Sequence, residues 1–112
     1  MATNSLTFPA EAVHIRTARL VAGAVAGQSD FDESEVSDIR LAVGEACALA
    51  LGHADRVEVV FDTDATGLRV RVTATGISRT TEPDPLAIML MESLADEFED
   101  AAGGILLRWF PG

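Results

Sequence analysis

The sequence predicts a two-layer α/β sandwich, a mostly antiparallel sheet covered on one face by helices. Three observations predict it. Two short runs alternate apolar and polar residues over 57–61 and 68–73, the pattern of strands with one covered and one wet face. The polar stretch 62–67 between them reads as a hairpin turn. Three longer stretches carry apolar residues at helical spacing, and helices confined to one face of such a sheet give two layers.

Each element follows from local chemistry. Leu6-Thr7-Phe8 alternates like a short edge strand, which Pro9 stops from extending. Residues 10–26 form a first helix, with Val13, Thr17, Leu20, Val21, Ala24 and Val25 on its apolar stripe and Gly27 as its natural end. Asp32 or Ser34 caps a second helix whose first turn holds Glu33 and Glu35, as the helix dipole favours. Its stripe is Val36, Ile39, Val43, Ala46, Cys47 and Ala50, and Gly52 ends it. Val57, Val59 and Phe61 share one face of the hairpin with Leu68, Val70 and Val72, leaving Glu58, Arg69, Arg71 and Thr73 outside. Residues 75–85 are rich in turn formers. A third helix over 85–98 starts at Pro85, a permitted first position, and turns Leu86, Met89, Leu90, Leu94 and Phe98 inward. Gly103-Gly104 leads to a last strand over 105–110. The expected order is therefore β, α, α, β, β, α, β in one domain over residues 1–112, with no internal repeat and no linker.

Composition narrows the partners. Eight arginines and no lysine stand against 18 acidic residues, a net charge of −10, while 48% of residues are apolar and mean hydropathy is +0.24. That apolar content is enough for one compact core and too high for a disordered chain. No apolar run reaches the ~18–20 residues of a membrane span, and the first residues lack the basic-then-apolar pattern of a secretory signal, so a cytoplasmic domain is expected. A surface at −10 repels phosphate backbones, which argues against nucleic acid. A basic protein partner suits it better.

Catalytic material is sparse. Cys47 falls on the buried stripe of the second helix and reads as a small core residue, not a nucleophile. His14 and His53 are 39 positions apart without a third metal ligand. Asp96-Glu97 and Glu99-Asp100 lack the glycine-centred spacing of a calcium loop and read as a solvated helix end. No phosphate-binding glycine loop is present. One constellation is more specific: Glu45, Leu49 and His53 recur every four residues, so they share a helix face distinct from the core stripe.

Leu41-Ala42-Val43-Gly44-Glu45-Ala46, then Ala50 and His53-Ala54, then a strand running into Ala74-Thr75-Gly76-Ile77-Ser78, then Leu94-Ala95-Asp96-Glu97-Phe98 before Gly103-Gly104 stand in a telling order. These stretches, within 8–110, resemble the Bergerat fold of histidine-kinase-like ATPases, and most of all the small anti-sigma-factor serine kinases of partner-switching systems. The resemblance implies a nucleotide pocket built from Glu45, Leu49, His53, Ala74, Gly76 and Ser78, with Glu45 as the family's N-box glutamate. It also implies sigma-factor and antagonist partners, a homodimer, and ATP with Mg2+ as ligands.

The departures from the family pattern fall on that ligand. Leu49 replaces the asparagine that holds magnesium, and a leucine offers no lone pair to a hard cation. Ala74 replaces the aspartate that reads adenine, and Ser78 replaces the second glycine. Asp84-Pro85 stands where backbone amides would approach phosphates; Pro85 has no N–H and Asp84 repels a triphosphate. The expectation is a degenerate member that binds proteins without ATP, metal or kinase activity. An active serine kinase with an altered pocket, or a small-molecule sensor using the former cavity, are the alternative readings.

Overall fold

The computed structural model describes residues 2–51, 54–76, 84–101 and 104–112. In chain order these form β1 (Ala2–Pro9), a 3-10 turn (Ala12–His14), α1 (Ile15–Gly27), α2 (Glu33–Leu51), β2 (Arg56–Thr63), β3 (Leu68–Thr75), α3 (Pro85–Leu94), β4 (Glu97–Ala101) and β5 (Gly104–Trp109). The strands make one antiparallel sheet in the order β1-β2-β3-β5-β4.

Register explains the core. Phe61 lies opposite Val70, which lies opposite Leu107; one step along, Val59, Val72 and Ile105 align in the same way, and Phe8 lies opposite Val57. All are buried, with Trp109 and Leu68, against the helices. A period of two thus places Val57, Val59 and Phe61 with Leu68, Val70 and Val72 on the helix side, while Val60, opposite Ser5 and Arg71, falls on the open face. Glu58, Arg69 and Arg71 stay on the open face, as the alternation predicts. The two-layer α/β architecture is the one read from the sequence.

The hairpin turn is held by Asp64. Its Oδ1 accepts hydrogen bonds from the Thr66 hydroxyl (2.5 Å), the Thr66 N–H (2.7 Å) and the Gly67 N–H (3.1 Å). Those Thr66 donors, with Gly67, hold its carboxyl below the usual carboxylate range. A lowered folded-state pKa contributes stability that is fully present above the ordinary carboxylate value and is lost as pH falls through the folded one. Asp64→Ala is therefore expected to lower the melting temperature near neutral pH, with the gap to wild type narrowing in strong acid. An equal gap at both pH values rules this linkage out.

Four expectations need correction. First, α3 ends at Leu94, and residues 97–101 form the edge strand β4 where a helix end was expected. Ala95 is extended, the Asp96 N–H donates to the Arg108 carbonyl (2.9 Å), and Asp96 Oδ2 accepts the Phe110 N–H (2.7 Å). Trp109 Nε1 also donates to the Leu94 carbonyl at 2.8 Å, satisfying a helix-end acceptor. The acidic run thus blunts an exposed sheet edge. Second, α3 buries Ala87 and Met91, whereas Leu86 and Met89 face outward. Its first seven residues, PLAIMLM, are all apolar, so periodicity cannot select a face.

Third, α1 buries Ala18, Ala22, Val25 and Ala26, leaving Val13 and Leu20 exposed at 71% and 59%. Small residues face inward because α1 lies close against α2. Fourth, Phe8 is buried and Leu6 half-buried on the core face of β1. Both were expected as exposed side chains of an edge strand that could pair two copies of the chain, and their burial on the core face removes that surface. Gly52 and Gly103 lie outside the described residues.

Candidate functional site

The face carrying Glu45 is fixed from the start of α2. The Glu35 N–H donates to Asp32 Oδ1 (2.8 Å), while Glu35 Oε1 accepts the Asp32 N–H (3.0 Å). This reciprocal capping box selects Asp32 over Ser34 as the cap and satisfies two donors that the first turn leaves free. From that start, the helical period sets Ile39, Val43, Ala46, Cys47 and Ala50 toward the core, where all are buried. Glu45 and Leu49 follow one another on an adjoining face, both half-buried. α2 packs against α1, α3 and β3, so it is the central helix of its layer.

The second segment that the sequence singles out is the end of β3. Ala74 lies opposite Val57 in the β2 register and is exposed. Gly76 follows at φ +109°, a conformation that L side chains rarely adopt. A Cβ there would come within 2.9 Å of the Asp55 backbone nitrogen and of Asp55 Oδ2. Asp55 ties this corner together: its N–H donates to the Thr75 carbonyl (3.0 Å), and its carbonyl accepts the Ala10 N–H (2.8 Å). Sequence reasoning missed this junction, because the Gly76 strain that calls for it appears only in three dimensions.

The third segment is the start of α3. The Asp84 side chain caps it, accepting the Leu86 N–H at 3.0 Å, and Pro85 has no N–H to offer. The first helical donor is therefore occupied by a carboxylate of the chain itself. His53 and Ser78 lie outside the described residues.

The three pieces have consequences for ligand chemistry. Leu49 packs against the hydrophobic core and presents hydrocarbon at the position where the family resemblance implies a metal ligand. Ala74 presents a methyl group. Among the described residues no three His, Cys, Asp or Glu side chains group as a metal site, and no helix is long and apolar enough to cross a membrane. A shallow cleft at the other end of the hairpin, lined by Asp62, Asp64, Arg69, Arg108 and Phe110, has a volume of about 60 Å³. That holds a water or two and is far below a drug-sized pocket of ~300 Å³ or more.

Cys47 is fully buried, and burial pushes its thiol up to about 12, with the Arg19 charge a lesser opposing influence. Against the ordinary 9.0 this leaves roughly a thousandfold less thiolate, and the thiolate is the reactive form. The native protein is expected to be silent to Ellman's reagent on the timescale on which the urea-unfolded chain reacts completely. Rapid reaction of the folded protein would place Cys47 at the surface.

The profile of the histidine kinase-like ATPase domain family matches residues 8–108. No curated protein matches the chain.

Proposed function

The chain belongs to the histidine kinase-like ATPase domain family, and we propose that it is a regulatory member acting through protein binding, with nucleotide binding and kinase activity lost. In this reading it is an anti-sigma-factor-like component of a cytoplasmic partner-switching system. The observation that carries the reading is Leu49. It packs into the core at the position, one turn after Glu45, where the family pattern requires an oxygen donor for magnesium. Ala74 and the self-capped start of α3 support it from two other directions, base and phosphates.

Sequestering a partner needs a surface, whereas phosphorylating one needs the pocket. A scaffold that keeps the first and has lost the second retains only the first activity. The net charge of −10 matches the basic DNA-binding regions of a sigma factor.

Isothermal titration with Mg2+-ATP tests the nucleotide half. No saturable heat is expected at millimolar ATP, and micromolar binding overturns the reading in favour of an active kinase. Affinity purification from the native cell tests the partner half. A sigma factor or its antagonist is expected in stoichiometric amount, and reproducible recovery of neither removes the partner-switching assignment.

A further inference from the structure

α3 turns an apolar face to solvent. Leu86 is 72% exposed and Met89 66%, with exposed Pro85 before them and half-buried Leu90 beside them. Positions 86, 89 and 90 stand at i, i+3 and i+4, so on one helix they are neighbours and their side chains form an unbroken patch. The opposite face is occupied: Ala87 and Met91 are buried, and Ile88 and Leu94 pack against the core. The helix therefore cannot turn to hide the patch without exposing Met91.

The surroundings of the patch carry one sign of charge. Residues 84–101 hold six acidic residues and no basic one. Asp84 caps the start of the helix, and Glu92, exposed, stands in its last turn, so a carboxylate bounds the patch at each end. Asp100 is exposed on β4, opposite the buried Ile105 and hence on the helix side of the sheet. The exposed leucines of the other two helices differ. A Cβ on Gly44 would collide with Arg19, and one on Gly23 would come within 2.9 Å of Cδ of Arg40. Arginine stems thus lie in the α1–α2 seam between Leu20 and Leu41 and interrupt that surface.

We propose that the outer face of α3 docks a basic amphipathic helix of a partner protein. Its apolar stripe would lie on Leu86, Met89 and Leu90, and its cationic side chains would meet Asp84 and Glu92. Charge selects this occupant. A second copy meeting the face about a two-fold axis brings α3 against α3. Laid antiparallel, Asp84 of each copy nears Glu92 of the other; laid parallel, each acid meets its own counterpart. A second copy offering its α1, with Arg16 and Leu20, makes a head-to-tail contact that closes no dimer and brings together two chains at −10. An acidic helix, nucleic acid or an anionic membrane meets like charge.

The inference rests on the protein-binding reading above and gives that partner a chemistry and a place. The two fail separately: ATP titration and native purification decide the reading, and peptide titration decides the site. The probe is a fluorescein-labelled peptide of about 18 residues, lysines and alanines with leucines at i, i+3, i+4 and i+7. A chain at −10 attracts any cationic peptide, so the control keeps the composition and scatters the leucines around the helix. Two double variants leave the net charge unchanged. One is Leu86→Gln with Met89→Gln on α3; the other is Val13→Gln with Leu20→Gln, at and before α1, and all four positions are exposed.

Fluorescence polarisation is expected to show saturable binding of the striped peptide, about tenfold or more tighter than the scattered one. The α3 double variant is expected to lose about tenfold in affinity at unchanged melting temperature, while the Val13/Leu20 variant binds as wild type does. Glu92→Gln is expected to weaken binding about threefold and to reduce its salt dependence. Equal binding of the two peptides overturns the proposal, since charge alone then accounts for it, and so does absence of saturable binding. An α3 variant or Glu92→Gln that binds as wild type does, or a Val13/Leu20 variant that loses as much as the α3 variant, also overturns it. A mass in light scattering that rises with concentration and reverts in the α3 variant assigns the face to a second copy and overturns it too.

Discussion

Replacing Phe61 with alanine is expected to remove about 3–5 kcal/mol of folding stability. Phe61 is fully buried in β2, flanked by Asn4 of β1 and Val70 of β3 in the register. Both neighbouring strands are hydrogen-bonded to β2 along its length, so the backbone cannot close the space that a missing ring leaves. The loss therefore contains the transfer term and most of the cavity term. A domain of this size has roughly 5–15 kcal/mol in total, which makes the change comparable to the whole margin at the lower end. Urea unfolding followed by fluorescence of Trp109, the sole tryptophan, measures it. The midpoint should fall with little change in slope. Val13→Ala, at a site 71% exposed, should stay within about 0.5 kcal/mol of wild type. A loss below about 1 kcal/mol for Phe61→Ala contradicts the packing described here.

Different parts of this molecule were legible to different degrees, for physical reasons. In β2 and β3, charged residues alternate with branched apolar ones, so a period of two fixes both strand and face. The core positions of the hairpin follow from the sequence without exception. In α3 the opening run PLAIMLM has no polar face, and its orientation comes from where the helix docks, information that periodicity does not carry. In α1 the rule of large residues inward fails, because the seam with α2 admits arginine stems over glycine and selects alanine for close approach. β4 reads as a helix end since Glu97, Glu99 and Asp100 are strong surface residues in either state. Only pairing with β5, which sets Phe98 opposite Leu107, reveals it as a strand.

The candidate site divides in the same way. The shared face of Glu45 and Leu49 is legible from four-residue spacing, and the structure keeps them adjacent on α2, whereas their place in a nucleotide site is what the family resemblance implies. The Asp55 junction under Gly76 has no local signature, since it joins three chain segments through backbone groups.

Leu49→Asn combined with Ala74→Asp is expected to raise Mg2+-ATP affinity by roughly two to four orders of magnitude, because each change restores a polar contact worth about 1–3 kcal/mol. The first change puts an amide carbonyl one turn from Glu45, where its oxygen can meet a hard cation. The second supplies an acceptor at an exposed position of β3. The two substitutions have unequal structural costs. Leu49 packs against the core, so its replacement forfeits apolar burial of about 1–3 kcal/mol. Ala74 is exposed, and its replacement costs little. The double variant should therefore melt below wild type yet bind nucleotide better, a combination that general loosening of the fold does not produce. Each single variant should show part of the gain. Recovery stays incomplete while Asp84 holds the Leu86 N–H and Pro85 offers none, so adding Asp84→Asn should improve affinity further by relieving repulsion of the triphosphate. Titration calorimetry on folded samples reads the whole series. Wild-type binding equal to that of the double variant defeats the claim that these two positions silenced the site.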